Sequence, residues 1–290
     1  MSESARKVAS NWEARIFIEG VGEAERRLEV TPEVAGWEYL SFRTYTFRAG
    51  QAIDGESAAD EMCMVLLSGA ITMAVAGAGF SETWELSRPG GVFEGRPSAV
   101  YLPPDHTYTM TVHEDADCAY GRAPAEGRRR PRLISQDDVL NMLGLYQEGE
   151  GRFQQLHRIL RPGDAERLTC VETITPEGGW SRWPEERRVA SGELDGVAAS
   201  LTNEVDYYRF DAEGGYGLQR LGTHDPARDE VVIVEHGDAV MVHHGSYPAA
   251  ASPGARMWAL AFRAGATSSP PDGAEDAEGD DSATAGRVRR

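Results

Sequence analysis

Short strand-like runs, separated by glycine, proline and aspartate, recur along most of this 290-residue chain. The first set consists of EYLSFRTYTFRAG at 38–50, MCMVLLSGAITMAV at 62–75, SAVYLPPD at 98–105 and TYTMTVHED at 107–115. The second consists of RLTCVETITPEGG at 167–179, EVDYYRFD at 204–211, YGLQRLGTHD at 216–225, EVVIVEHGDAVMVHHG at 230–245 and RMWALAFRAG at 256–265. Many short strands at this spacing predict an all-β barrel or sandwich.

The two sets follow a common order of strand, glycine turn, strand and corner, which predicts a duplicated small barrel. Two segments between the sets have helical patterns, SQDDVLNMLGLY at 135–146, with Ser135 as N-cap and Asp138 at the capping-box position, and GRFQQLHRIL at 151–160. The predicted organisation is a flexible arm at 1–12, a barrel at 13–125, a helical connector at 126–165, a second barrel at 166–265 and a disordered acidic tail at 266–290.

Composition excludes several classes of partner and location. The formal net charge of −18 opposes binding to nucleic acid and to anionic membranes, because the phosphate-neutralising contribution is repulsive. No apolar run is long enough to cross a membrane and the N-terminus lacks a signal-peptide core, so a cytoplasmic protein is expected. Three widely spaced cysteines, at 63, 118 and 170, predict reduced buried thiols and no disulfide frame.

Several segments together resemble the 5-deoxy-glucuronate isomerase family of inositol catabolism, over residues 12–266. They are VTPEVAGWEYLSF at 30–42, GVFEGRPSAVYLPP at 91–104, RPRLISQDDV at 130–139, ERLTCVETITPEGGWSRWP at 166–184, YYRFDAEGGYGLQRL at 207–221 and DEVVIVEHGDAVMV at 229–242. The resemblance implies an all-β bicupin, two cupin-type barrels with short connecting helices. It also implies an aldose–ketose isomerase with a divalent metal in the second barrel.

This sequence departs from the family at the implied metal ligands, which are two histidines in a His-x-His step, a glutamate and a further histidine. The corresponding positions here are Glu186, Arg188, Glu204 and Tyr247. Arginine has no lone pair to donate and carries a fixed positive charge, and no imidazole remains in the set. The sequence therefore predicts no metal and no other cofactor.

The same region supplies the candidate site residues. Glu204, Asp206 and Tyr208 alternate on one strand and so share a face. In one interpretation, Arg188 and Glu204 form a structural ion pair in place of the metal. In the other, Glu204 or Glu186 is a general base, Tyr247 an acid or oxyanion donor, and Arg188 binds a substrate carboxylate or enolate oxygen.

Other polar residues are weaker candidates. Substrate contacts are also predicted for Asp206, Tyr208, either Gln219 or Arg220, and His244. Structural roles are predicted for the polar residues of the first barrel, Glu61, Glu94, His106 and His113.

Three functions are compatible with these residues. The first is a diverged, metal-independent isomerase acting by acid–base chemistry on a small oxygenated carbonyl compound, in specialised biosynthesis. The second is a sugar isomerase with an altered metal site, and the third is a non-catalytic binding bicupin. In each case the partner is a small molecule, and exposed sheet edges favour a homodimer.

Overall fold

The computed structural model describes residues 8–9, 14–18, 22–77, 79–145, 153–181, 203–221, 230–242 and 248–266. Across these ranges the chain is almost entirely β-strand, and its one α-helix has four residues. No helix in the described ranges is long and apolar enough to span a membrane. The all-β class is therefore confirmed.

The first half of the chain builds a nine-stranded sheet. Its order is β10-β8-β6-β9-β4-β3-β2, with β5 added to β9 and β7 added to β6. The helix α1 follows β3 and is capped by Thr31, with Pro32 in its first turn and the left-handed Gly36 after its end. The elements are β1 (Val8–Ala9), β2 (Ala14–Ile18), β3 (Gly22–Val30), α1 (Pro32–Ala35), β4 (Ser41–Phe47), β5 (Ala52–Glu56), β6 (Asp60–Gly77), β7 (Phe80–Arg88), the 3-10 turn Gly91–Phe93, β8 (Ser98–Leu102), β9 (Thr107–Pro124) and β10 (Arg132–Ile134).

The second half forms a seven-stranded sheet and a four-stranded sheet. The larger has the order β1-β18-β15-β20-β13-β12-β11 and the smaller the order β14-β19-β16-β17. Their strands are β11 (Leu140–Leu145), β12 (Phe153–Leu160), β13 (Leu168–Thr175), β14 (Trp180–Ser181), β15 (Asn203–Phe210), β16 (Tyr216–Leu221), β17 (Glu230–Glu235), β18 (Ala239–Val242), β19 (Ala249–Ala251) and β20 (Met257–Ala264).

The predicted connecting helices at 135–146 and 151–160 are wrong. Ser135 does bond Asp138 through both its backbone N–H and its hydroxyl, but this closes a turn and no helix follows. The next residues form β11 and β12, which pair with each other and, through β12, with β13. Sheet pairing thus overrides the local pattern, and the connector extends the sheet of the second barrel.

Of the arm predicted at 1–12, the structure describes Val8 and Ala9. They form β1, which pairs antiparallel with β18 of the second barrel. The acidic tail at 267–290 lies outside the described residues.

The described residues form three apolar cores. One fills the first barrel, one fills the second, and the largest lies between them. The cysteines at 63, 118 and 170 are free and buried in these cores, and burial raises the pKa of the Cys118 and Cys170 thiols. These two thiols therefore stay protonated and are poor nucleophiles.

Buried carboxylates connect the barrels. Glu61 of β6 accepts hydrogen bonds from the backbone N–H groups of Glu166, Arg167 and Leu168 at 2.7–2.8 Å, and from the Tyr101 hydroxyl at 2.8 Å. It thereby fixes the start of β13 to the first barrel, which is a structural role of the kind predicted from the sequence.

A second buried carboxylate, Glu172 of β13, bonds to Arg88 at the end of β7. Arg88 Nη1 lies 2.8 Å from Glu172 Oε2, and Arg88 Nη2 donates to Glu172 Oε1 at 2.9 Å. His157 of β12 contacts Oε1 through Nδ1 at 2.8 Å, and all three side chains are at most 1% exposed. Arg88 comes from the first barrel and its partners from the second, so this network also joins the two.

Close packing between the barrels requires a glycine at position 121, where an added Cβ would lie 2.3 Å from the Phe262 ring. We expect Gly121→Ala to lower the free energy of unfolding by about 1–3 kcal/mol through overpacking, as measured by urea denaturation. Gly95→Ala is the control, because its nearest contact would be an ordinary 3.9 Å. Equal effects of the two substitutions would contradict this packing.

Candidate active site

Strand β15 places three polar side chains inside the second barrel. Glu204, Asp206 and Tyr208 alternate along it and are at most 1% exposed. Tyr208 belongs to the core of the second barrel, whereas Val205 and Tyr207 on the opposite face belong to the core between the barrels. The three side chains therefore project into one space, as the alternation in the sequence predicts.

Asp206 has a defined partner on the facing sheet. Gln219 of β16 is fully buried and its Nε2 donates to Asp206 Oδ2 at 2.9 Å. Of the two alternatives left by the sequence, Gln219 is the one that faces inward. Arg220, its neighbour, lies on the outer face of β16 with Leu218, which is the other alternative that the sequence left open.

Glu204 faces a cation that the sequence analysis missed. The Arg263 Nε atom lies 3.1 Å from Glu204 Oε1, and the Arg263 side chain is 24% exposed. The two residues are directly opposite each other on β15 and β20. One interpretation of the sequence pairs Glu204 with Arg188, which lies outside the described residues, so that pairing stays a prediction.

Alternation on β20 could have revealed Arg263. Met257 and Ala259 belong to the core of the second barrel, and residues 261 and 263 continue the same face. An arginine at an inward position is costly unless it has a partner or a function, and Glu204 supplies the partner.

Alanines lie opposite several of these polar groups on one side. Ala261 lies opposite Asp206, Ala259 opposite Tyr208, and Ala249 opposite Gln219. On the β18 side, Val242 and Val240 lie opposite Glu204 and Asp206. The barrel thus combines two buried carboxylates, a phenol, an amide and a guanidinium with small side chains on β19 and β20.

The remaining predicted site residues lie outside the described ranges. They are Glu186, Arg188, His244 and Tyr247. The last described residues before this gap, Trp180 and Ser181, form β14. Trp180 is 47% exposed on the outer face of the four-stranded sheet.

The donor set does not fit the divalent metal that the resemblance implies. Glu204 is the one described position of the four, and its carboxylate lies against the Arg263 guanidinium. A cation at this carboxylate would be repelled by that fixed charge. The described residues contain no group of three or more histidine, cysteine, aspartate or glutamate side chains able to hold a metal ion.

Gln219 is expected to matter for stability because it donates to a fully buried carboxylate. We expect Gln219→Leu to lower the free energy of unfolding by about 1–3 kcal/mol, measured by urea denaturation. Gln136→Leu is the control, since Gln136 donates to a backbone carbonyl near the surface at 3.2 Å. A Gln219→Leu protein as stable as the control would mean that Asp206 does not depend on this bond.

Comparisons with known proteins agree with the sequence resemblance. The 5-deoxy-glucuronate isomerase of Geobacillus thermodenitrificans is 33% identical over 244 residues, covering 82% of this chain and 84% of the relative. The enzyme of the same name from Bacillus subtilis strain 168 is 28% identical over 245 residues, covering 82% and 86%.

Solved structures support the fold. An IolB-like protein from Salmonella typhimurium matches with a TM-score of 0.73 and 27% identity, covering 92% of this chain and 94% of that one. An oxalate decarboxylase from Lactobacillus farciminis matches with a TM-score of 0.61 at 8% identity, covering 92% and 88%, and shows the fold alone. The bicupin prediction is thereby confirmed.

A family model assigns the chain as a whole. The KduI/IolB family matches residues 18–274, which includes both barrels and every candidate site residue. The curated relatives are isomerases, and their similarity extends over most of the chain. This protein belongs to the KduI/IolB family and is an isomerase of that family.

Proposed function

We propose that this protein moves a proton between adjacent carbon atoms of a small oxygenated carbonyl compound without a metal ion. The second barrel is its active site. The observation that carries this proposal is the pair of fully buried carboxylates, Glu204 beside Arg263 and Asp206 bonded to Gln219, among alanine positions. Such groups are costly to bury, and a reaction that uses them gives a reason for their retention.

Glu204 is the general base in this proposal. Its carboxylate removes a proton from the carbon next to the carbonyl group, and the electron pair moves onto the carbonyl oxygen to form an enediolate. Tyr247 gives its proton to the former carbonyl oxygen and takes the proton of the adjacent hydroxyl group, whose oxygen becomes the new carbonyl oxygen. The same carboxyl group returns its proton to the former carbonyl carbon, which completes the isomerisation. Glu186 is the alternative base.

The other groups stabilise charge and orient the substrate. Arg263 orients Glu204 and, with Arg188, supplies positive charge near the enediolate oxygens. Tyr247 is the acid or oxyanion donor, and Tyr208 and Asp206 bind substrate hydroxyl groups. His244 is a further substrate contact.

A sugar acid is the substrate class that this reasoning favours. The curated relatives are named for a uronate, and Arg188 offers a partner for its carboxylate. Since three of the four implied ligand positions have changed, we propose a modified substrate of this type, used in specialised biosynthesis.

Two other functions have an observation in their favour. A 5-deoxy-glucuronate isomerase with an altered metal site is favoured by the retained Glu204 and by the 33% identity to relatives of that name. A binding protein without catalysis is favoured by the Glu204–Arg263 ion pair, which can act as a structural link.

Isomerisation in D₂O separates these functions. Metal-free protein is incubated with 5-deoxy-glucuronate and related uronates, and proton NMR follows both the product and deuterium at the reacting carbon. We expect turnover with deuterium incorporation in at least one uronate. Turnover only after addition of Mn²⁺ or Zn²⁺ would establish the altered metal site. Binding of the uronates without turnover under any condition would establish the non-catalytic function.

A further inference from the structure

A cavity of about 90 Å³ opens in the first barrel, whereas the site described above lies in the second barrel. Its floor is apolar and consists of Phe47, Ile53 and Met62. Its walls include Arg43 and Arg122, with the phenols of Tyr108 and Tyr120 beside them. An apolar floor with a few convergent polar groups is typical of a small-molecule site.

The two arginines retain hydrogen-bonding capacity toward a ligand. Arg43 contacts Glu29 through Nε at 2.7 Å. Arg122 Nη2 donates to the Ser57 carbonyl, and its Nε lies 3.4 Å from the Asp60 carboxylate. The Arg43 and Arg122 side chains are nevertheless 33% and 20% exposed, so their remaining N–H groups can donate to a ligand.

The phenols add fixed donors. Burial raises the pKa of Tyr108 to about 12, and burial also raises the pKa of Tyr120 well above its ordinary value. Both hydroxyls therefore stay protonated, and because Tyr120 donates to Tyr108, the Tyr108 O–H remains to donate to a ligand. Asp54, at the rim, accepts from the Thr109 hydroxyl at 2.6 Å. Donors thus predominate on the walls.

We propose that this cavity binds the carboxylate of a small organic acid, with a short apolar body on the floor. Guanidinium and phenol groups donate to carboxylate oxygens. A cavity of about 90 Å³ suits a short-chain acid and is too small for a sugar polymer. This site is independent of the proposed reaction in the second barrel.

Binding of isobutyrate, measured by calorimetry and by saturation-transfer NMR, tests the proposal. Isobutyramide has the same shape without the charge and is expected to bind at least tenfold more weakly. Arg122→Met and Arg43→Met are expected to weaken isobutyrate binding at least tenfold. Arg48→Met, at an exposed arginine paired with Asp115, and Glu204→Gln in the second barrel are expected to leave it unchanged.

Three outcomes would overturn the site. They are equal binding of acid and amide, unchanged binding in Arg122→Met protein with a native unfolding midpoint, and loss of binding in Glu204→Gln instead. The Glu204→Gln variant tests whether isobutyrate binds in the second barrel instead. A failure of the first-barrel site is therefore distinguishable from a failure of the reaction proposed for the second barrel.

A separate observation concerns the outer face of the four-stranded sheet. Of the six exposed large hydrophobic side chains in the described ranges, all but Val34 lie on this face. Trp180, Ala250, Leu218 and Ile233 form a row across the four strands. Tyr216 flanks the row on one side and Val231 on the other, and Val231 and Ile233 are each 60% exposed. Contiguous apolar surface of this kind marks an interaction site.

We infer that a second copy of this chain covers the face, as an isologous dimer. Arg220 lies on one side of the row and Glu235 on the other. A two-fold axis along the row would bring Arg220 of one copy over Tyr216 and within reach of Glu235 of the other. The apolar row then packs on itself, with complementary charges on both sides.

Sedimentation velocity tests the dimer. The wild-type protein is expected to sediment as a dimer at micromolar concentration, and Ile233→Asp as a monomer. Val34→Asp is the control, because Val34 is 73% exposed away from this face, and it is expected to remain dimeric. Arg220→Glu is expected to weaken association at least tenfold, and Arg220→Glu with Glu235→Arg to restore it. A monomeric wild-type protein, or dimeric Ile233→Asp protein, would overturn the inference.

Discussion

Replacing Glu172 by glutamine is expected to lower the free energy of unfolding by about 3–5 kcal/mol, the largest effect on stability that we predict. Glu172 and Arg88 are both 0% exposed, and the substitution leaves the Arg88 guanidinium buried without a counter-charge. Because this network joins the two barrels, the substitution is expected to weaken the interface between them. Urea denaturation measures the change in the free energy of unfolding.

A double-mutant cycle distinguishes the ion pair from simple packing. Arg88→Met with Glu172→Leu removes both charges and keeps apolar volume, so the pair is expected to be much more stable than Glu172→Gln alone. Asp115→Asn, which breaks the exposed pair with Arg48, is the control and is expected to have little effect. Additive losses in the cycle would show that the charges do not interact.

The same pair predicts a dependence of stability on pH. Burial acts to raise the pKa of Glu172, but attraction to Arg88 and hydrogen bonds from His157 and Arg88 outweigh burial, so the pKa lies below the ordinary 4.5. A carboxyl whose folded pKa is depressed stabilises the fold above its unfolded pKa and loses that contribution as the pH falls through the folded pKa. The difference between wild type and Glu172→Gln is therefore expected to shrink below about pH 4.5.

Replacing Glu204 by glutamine is expected to lower kcat by about 10²- to 10⁴-fold, the range for loss of a general acid–base group. Glutamine preserves the shape of the side chain and can still contact Arg263, but it cannot accept the proton. The measurement is the rate of isomerisation of the uronate that the wild-type protein turns over. Glu230→Gln, at an exposed position on β17, is the matched control and is expected to keep wild-type activity.

The result also separates catalysis from a structural ion pair. If Glu204 only links β15 to β20 through Arg263, the substitution lowers the unfolding midpoint and leaves kcat unchanged. Arg263→Met would then have the same effect on stability. Under the catalytic account, Arg263→Met lowers kcat while Glu204 remains in place, because Arg263 orients the carboxylate.

Much of the fold could be predicted from local patterns. Alternation within EVDYYRFD fixes which side chains of β15 face the second barrel, and the order of short segments identifies the family. Local patterns predict helices at 135–146 and 151–160, and both predictions are wrong. In the first segment the pattern misleads because Ser135 and Asp138 form a local hydrogen bond that also occurs in turns. The strand structure of both segments comes from the pairing of β11 with β12 and of β12 with β13, which a local pattern does not contain.

Contacts between distant segments explain the rest. Arg263 is 59 positions from Glu204 and meets it only because β15 and β20 are neighbours in the sheet. Arg88 and Glu172 come from different barrels, and no local pattern predicts that they meet. The inward side of a strand can be predicted from its own residues, whereas the partner across the barrel cannot.

Turnover by protein stripped of metal tests the central claim most directly. The protein is treated with a strong chelator, its Zn, Fe, Mn and Ni contents are measured by mass spectrometry, and isomerisation is followed in the same sample. We predict full activity with far less than one metal ion per chain. Activity that disappears on chelation and returns in proportion to one added equivalent of a divalent metal would contradict the account.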